Sequence, residues 1–335
     1  LLRGFSAPVV LDREAGRDEQ AFLLAHDTDT FTRWDAGRQL ARETLVDMVL
    51  TGATPDMAYI DGLEAVLRDE TLDPAYRALM MGTPSQSELA QVLADRGHVP
   101  DPDAIWQAAE TLAQVKAERW TDLLPRLAAE AEVTAPYSPD AEQSARRALG
   151  AAVLSLQTRL DGGAAAEAQF GRADNMTLQL SALSNLIRAG RDETALKAFH
   201  DQWQGDRLVM DKWFGLQIAA TTPEKVVPRT EALTAHPGFD WKNPNRFRAV
   251  MGAMMMHHAG FHSVDGAGYR LLADWLIRLD DVNPQTTARM CSAFQTWRRY
   301  DAGRQEMIRA ELERIRSKPK LSRDVDEMVS RILGA

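Results

Sequence analysis

Residues 29–50 read DTFTRWDAGRQLARETLVDMVL, and this stretch decides the fold class. Apolar side chains recur along it, and Leu45, Met48 and Val49 show the three- and four-residue spacing of an amphipathic α-helix. Asp29 or Thr32 supplies a side chain that can cap the first turn. The stretch therefore predicts a long helix with one buried face.

The same pattern continues along most of the chain, and proline stands at or before several expected helix starts, as in Asp73-Pro74 and Val99-Pro100. Further helices are predicted at 56–67, 73–80, 87–93, 101–119, 121–132, 140–160, 164–170, 174–189, 193–204, 209–219, 223–235, 245–256, 268–279, 284–300, 302–317 and 322–333. Short helices with connections of roughly 2–8 residues are typical of stacked antiparallel pairs. We expect an all-α superhelix of the HEAT or armadillo kind.

Residues 5–11 are the one stretch that predicts a β-strand, because Val9 and Val10 are β-branched and a polar segment follows. Pro8 restricts the strand to a sheet edge or a strand end. A lone strand needs partners, so we interpret it as the last strand of a β domain and expect further sequence before Leu1. The proline-rich segment 135–139 is either an internal boundary or an ordinary loop between helices.

Composition narrows the function classes. The 335 residues carry 48 acidic and 39 basic side chains, and this net charge of -9 disfavours binding to nucleic acid. No apolar run approaches the roughly 20 residues that cross a bilayer, so no membrane span is predicted. Cys291 is the only cysteine, which excludes an intrachain disulfide and a cysteine zinc site and fits the cytoplasm.

Histidines are the first candidates for chemistry. His258 and His262 stand four residues apart beside His257, which is a possible metal-ligand spacing, although Asp265 is the one carboxylate nearby. The alternative is a helix end with incidental histidines. The His-Glu-x-x-His zinc motif is missing from this sequence. Cys291 is either a nucleophile or a small buried apolar residue, and its position within a predicted helix favours burial.

Two asparagine-proline turns carry the more informative polar groups. The segment NPNRFR at 243–248 places Arg246 and Arg248 in a first helical turn, where the helix dipole disfavours positive charge. The segment NPQ at 283–285 begins a helix that places Gln285 and Arg289 on one face. Such groups can bind a carboxylate, a peptide backbone or a neighbouring domain. The alternative is salt bridges to nearby carboxylates.

An ordered set of segments resembles the C-terminal part of bacterial aminopeptidase N, a family of gluzincin-type zinc metallopeptidases also called alanyl aminopeptidases. The set consists of FSAPV at 5–9, His26 with FTRWDA at 31–36, NMT at 175–177, LVMDKWF at 208–214, NPNRFR at 243–248, DGAGY at 265–269, NPQ at 283–285, RYDA at 299–302 and LSRD at 321–324. Each segment alone is weak. Their common order, which extends to the end of the chain, is specific.

The resemblance implies that residues 1–12 are the last strand of a truncated β-sandwich domain and that residues 13–335 are the helical C-terminal domain. Zinc and the catalytic residues then belong to a catalytic domain of the same polypeptide, and the chain by itself is expected to be inactive and to hold no metal. By motif position, Arg248, Gln285 and Arg289 line the cavity for peptide substrates, over which the helical domain closes. The His257-His258 step departs from the family pattern, so these histidines inherit no role.

Two other hypotheses remain open. The chain can be a freestanding helical-repeat scaffold whose concave face binds a peptide or protein. It can also be a metal-dependent enzyme built on His257, His258 and His262, for which metal bound in stoichiometric amount and lost on His258→Ala would be the sign.

Overall fold

The computed structural model describes residues 15–334, and every regular element among them is a helix. The strand predicted at 5–11 lies outside the described residues, as do all of residues 1–14. The described chain divides into two compact units. One contains residues up to Leu89 together with Ala104–Ala189, and the other contains Ala90–Asp103 together with residues from Gly190 onward.

The first unit is built from α-helices, two of which, α5 and α6, also reach into the second unit. They are α1 (Arg17–His26), α2 (Thr30–Thr51), α3 (Met57–Arg68), α4 (Pro74–Met81), α5 (Gln86–Asp95), α6 (Pro102–Arg119), α7 (Leu124–Ala131), α8 (Ala141–Asp161), α9 (Ala164–Arg172) and α10 (Met176–Ala189). Helix α1 packs on α2 and α3, while α8 packs on α4, α7 and α10. Residues such as Leu40, Leu45 and Ile60 form its core.

The second unit contains helices of three kinds. They are α11 (Glu193–Trp203), α12 (Arg207–Ala219), α13 (Pro223–Thr234), α14 (Pro244–Phe247), a π-helix (Arg248–Gly252), α15 (Ala253–Met256), α16 (His258–Phe261), α17 (Ala267–Leu279), α18 (Pro284–Met290), two 3₁₀-helices (Cys291–Phe294 and Trp297–Arg299), α19 (Ala302–Arg316) and α20 (Arg323–Leu333). Helix α17 packs on α19, and α18 packs on α20. Phe214, Phe247 and Phe294 lie in its core.

Side-chain caps explain why many helices begin where they do. The carboxylate of Asp29 accepts a hydrogen bond from the backbone N–H of Thr32, and Asp73 accepts one from Ala75. Such caps satisfy backbone donors that have no partner within the helix. Pro74 and Pro284 stand in the first turn, where a missing N–H costs nothing. The acidic and proline positions in the sequence therefore predict these helix starts.

The predicted helix 245–256 is wrong as a continuous α-helix. It consists of α14, the π-helix and α15, and it ends at His257, whose φ of -80° and ψ of 83° leave helical geometry. At the π-helix the backbone of α12 comes very close, because a Cβ added to Gly215 would lie 2.9 Å from the Ala249 carbonyl oxygen. This contact between distant segments is not encoded in the local pattern.

The predicted helix 284–300 is also interrupted, because it changes to 3₁₀ geometry after Met290. The Trp297 indole N–H donates to the Ile332 carbonyl at 3.1 Å, and the Arg298 guanidinium donates to the carbonyls of Ile332 and Leu333. These carbonyls end α20 and have no partner within that helix. The irregular segment thus caps the C-terminal end of α20.

The segment 135–139 connects α7 to α8 inside the first compact unit, so it is a loop and not a boundary between the units. None of the helices in residues 15–334 combines the length and the apolar character needed to span a membrane.

Candidate functional site

The two arginines of the NPNRFR segment have different environments. Arg246 is buried, and its Nε donates to Asp211 at 2.5 Å while Nη1 donates to the Gly238 carbonyl at 2.6 Å. Its guanidinium lies 4.4 Å from the ring centroid of Phe214. For Arg246 the alternative of a salt bridge to a nearby acid is therefore confirmed.

Arg248 is exposed and has no salt bridge within the described residues. Its Nε donates to the Pro244 carbonyl at 3.1 Å, and its Nη2 donates to Oδ1 of Asn245 at 2.6 Å. The residue is the first of the π-helix, and such short π-helical segments are frequent at functional sites. Arg248 therefore keeps its full charge on the surface while local contacts orient it.

Gln285 and Arg289 line one shallow concavity of about 360 Å³ in the second unit. The Asn283 side chain starts this helix by accepting a hydrogen bond from the Thr286 N–H at 3.0 Å. The concavity is completed by Ala288, Asp324, Glu327, Met328 and Arg331. Arg248 is not among the residues that line it, so the structure brings together two of the three predicted site residues.

The Arg289 guanidinium and the carboxylates of Asp324 and Glu327 stand on the wall of this concavity without an ion pair in the described part of the chain. All three side chains are exposed. Charges of both signs therefore remain free to contact a ligand or another protein surface. The salt-bridge alternative, which explains Arg246, does not explain Arg289.

The histidine cluster is a buried hydrogen-bond network. His258 Nε2 lies 2.9 Å from the Tyr300 hydroxyl, which also lies 3.1 Å from His262 Nε2. His262 Nδ1 lies 2.8 Å from the Tyr269 hydroxyl. His257 accepts a hydrogen bond from the Gly260 N–H at 3.2 Å, and its other ring nitrogen lies 3.0 Å from the Thr221 carbonyl. These contacts occupy five of the six ring nitrogens.

Burial, together with the positive charge of Arg299 and Arg304, lowers the pKa of His258 to about 3 and holds the pKa of His262 well below its ordinary value. Both rings are therefore neutral at physiological pH. Residues 15–334 contain no group of three or more histidine, cysteine or acidic side chains arranged to hold a metal ion. The cluster is better explained as a polar core that connects α16 and its flanking histidines to α17 and to Tyr300, which follows the Trp297–Arg299 segment.

Cys291 is fully buried, and burial raises the pKa of its thiol to about 12. A thiol with such a pKa is not a nucleophile near neutral pH. The structure thus agrees with the prediction of a small buried apolar residue.

The buried amine of Lys116 in α6 is an unusual group that the sequence pattern did not predict. Its Nζ lies 3.1 Å from the Tyr59 hydroxyl and 4.9 Å from the centroid of the Tyr59 ring. Burial lowers the pKa of this lysine to about 7. Its burial could have been inferred from the spacing in the sequence, because Lys116 stands four residues after Leu112 and four before Trp120, both of which are core residues.

Side-chain-capped helices that pack against their neighbours along the chain define a helical-repeat module. Residues 17–334 match the family described as "Domain of unknown function (DUF3458_C) ARM repeats". The chain belongs to this family and corresponds to the C-terminal ARM-repeat domain of bacterial aminopeptidase N. The all-α helical-repeat prediction is thereby confirmed, while the superhelical arrangement stays a prediction.

Similar proteins support the assignment. The chain is 39% identical to aminopeptidase N of Caulobacter vibrioides over 99% of its own length, and 34% identical to aminopeptidase N of Escherichia coli over 100%. It covers 39% of each relative, so it spans about two fifths of their length. A crystal structure of Legionella pneumophila aminopeptidase A in complex with aspartic acid matches 99% of the chain and 40% of that protein, with a TM-score of 0.88 and 28% identity.

Proposed function

We propose that this chain is the cleft-capping domain of a zinc-dependent aminopeptidase N that removes N-terminal residues from peptides in the cytoplasm. The observation that carries the proposal is the similarity to aminopeptidase N over nearly the whole chain. Zinc and the reacting groups belong to a catalytic domain of the same polypeptide. The helical domain limits access to that cleft and contributes no catalytic residue.

In this proposal Arg248, Gln285 and Arg289 face the substrate cavity. The support is that all three are exposed and that neither arginine has a salt bridge within residues 15–334. Guanidinium groups bind carboxylates and peptide carbonyls through parallel hydrogen bonds. The superhelix would exclude water around these contacts and strengthen the electrostatic interactions in the cleft.

The test is hydrolysis of alanine p-nitroanilide by the 335-residue chain, alone and with zinc, beside the full-length gene product. We expect cleavage by the full-length protein only. Activity of the isolated chain would overturn the assignment of the active centre and return attention to His257, His258 and His262.

The site residues are tested by Arg248→Ala, Gln285→Ala and Arg289→Ala in the full-length protein with trialanine as substrate. We expect a raised KM in each variant. Arg309→Ala is the matched control, because Arg309 is exposed and its one hydrogen-bond partner among residues 15–334 is Glu313 of the same helix, at 3.2 Å. Equal KM values in the control and the three variants would refute the cavity assignment.

A freestanding scaffold is the second candidate, and the free charges around Arg289 are what favours it. A reading frame that continues upstream into a His-Glu-x-x-His motif would exclude this candidate.

A further inference from the structure

The Asn-Pro-Asn turn does more than start a helix, because it determines how Arg248 presents its charge. Asn243 accepts a hydrogen bond from the Asn245 N–H at 3.0 Å, and Pro244 occupies the first turn. The backbone at Asn245 is therefore fixed from both sides. Its side-chain oxygen then accepts the 2.6 Å hydrogen bond from Arg248 Nη2.

The hydrogen bonds of Arg248 divide its guanidinium into an anchored part and a free part. Nε and one hydrogen of Nη2 are used by the Pro244 carbonyl and the Asn245 side chain. A guanidinium has five N–H donors, so three remain on Nη1 and Nη2. One Nη1–H and one Nη2–H of a guanidinium point outward along the same planar edge, which is the geometry that binds a carboxylate through two parallel hydrogen bonds.

The charge of Arg248 is not compensated by a carboxylate in the described part of the chain. Arg246, two residues away, is held by the carboxylate of Asp211, which compensates its charge. Arg248 is held instead by an amide and a carbonyl, which are neutral acceptors. A neutral acceptor fixes the direction of the guanidinium and leaves its positive charge available to a ligand.

We infer that Asn245 is a positioning residue, which orients Arg248 toward a carboxylate or carbonyl of the peptide substrate without neutralising it. This inference rests on the proposed role of Arg248 in substrate binding. It assigns a reason to both the presence and the type of residue 245, since an aspartate there would keep the hydrogen bond but cancel the charge.

The kinetic test measures trialanine hydrolysis by the full-length protein. Asn245→Ala should raise KM roughly fivefold with kcat unchanged, the size expected for one hydrogen bond. Asn245→Asp should also raise KM, although it retains the acceptor. The double variant Asn245→Ala with Arg248→Ala should match Arg248→Ala alone. Gln114→Ala is the control, because it removes a local side-chain hydrogen bond of 2.8 Å, to Glu118, in the first unit.

The structural test follows hydrogen exchange of the Arg248 Nε–H by NMR in the 335-residue chain. We expect faster exchange in Asn245→Ala and slow exchange in Asn245→Asp. Unchanged exchange in Asn245→Ala would overturn the positioning role, whatever the kinetics. A different outcome is faster exchange in Asn245→Ala together with an unchanged KM in Arg248→Ala. It would support the hydrogen bond between Asn245 and Arg248 but overturn the proposed role of Arg248 in substrate binding. A KM effect of Asn245→Ala that persists without Arg248 would also overturn the inference.

Discussion

Replacement of Lys116 should stabilise the protein, although it deletes a hydrogen bond. The side chain is 2% exposed, and the Tyr59 hydroxyl is its hydrogen-bond partner among the described residues. Burial lowers the pKa of the amine from its ordinary 10.5 to about 7. Near neutral pH folding therefore costs free energy, because the protein must either bury a charged ammonium group or remove its proton.

The effect of Lys116 on the free energy of unfolding follows from the number of protons that the folded and unfolded chains bind. Between pH 7 and 10.5 the unfolded chain binds this proton and the folded chain does not, so wild-type stability rises with pH in that window. The lowered pKa costs about 4 kcal/mol of unfolding free energy at pH 7 and about 1.5 kcal/mol at pH 9.5. Lys116→Met alone leaves the buried Tyr59 hydroxyl without its partner, at a cost of about 1–3 kcal/mol.

The decisive comparison is therefore Lys116→Met in a Tyr59→Phe background, measured by urea unfolding at pH 7 and pH 9.5. The double variant should be more stable than the Tyr59→Phe single variant by about 4 kcal/mol at pH 7. This gain in unfolding free energy should be smaller by about 3 kcal/mol at pH 9.5. Lys212→Met, at an exposed lysine, should change stability by less than about 0.5 kcal/mol. A gain that does not depend on pH would refute the reasoning, since it would show that the amine titrates normally.

Two further predictions concern the neighbouring arginines and a close helix contact. Arg246→Ala should lower the unfolding free energy by about 3 kcal/mol, because it leaves Asp211 unpaired, whereas Arg248→Ala should change it by less than about 0.5 kcal/mol in the same urea titration. Gly268→Ala should lower the thermal midpoint markedly, because the new Cβ would lie 2.6 Å from the Phe261 carbonyl oxygen. Gly171→Ala in α9 is the control, because a Cβ added there would have no atom within 4 Å, and it should raise stability by about 0.5–1 kcal/mol. Equal shifts of the thermal midpoint in the two variants would contradict the close contact at Gly268.

Sequence predicted the helices that local chemistry determines. Helix starts near Pro74, Pro102 and Pro284 agree with the structure within about a residue, because proline and acidic caps act over one turn. The breaks at the π-helix and after Met290 were missed. Both depend on partners far along the chain, namely Gly215 and the carbonyls of α20.

The candidate site was likewise predicted in part, where local spacing determines it. Spacing alone brought Gln285 and Arg289 to one face, and they line one concavity. Spacing did not distinguish Arg246 from Arg248, because the difference lies in Asp211, which is 35 residues away. The amine of Lys116 was missed because a lysine within an apolar stripe is ordinarily expected to extend its charge to solvent.

The interleaved order of the two compact units has a consequence for biosynthesis. Segment Ala90–Asp103 belongs to the unit whose other residues begin at Gly190, and Gln91 meets Arg299 at a separation of 208 residues. At translation rates of about 5–20 residues per second, the ribosome needs roughly 10–40 s to deliver that partner. During this interval residues 90–103 have been synthesised, but most of the unit in which they pack has not. Chaperone binding to this segment, or a pause in translation, would therefore affect folding most while residues 104–299 are being made.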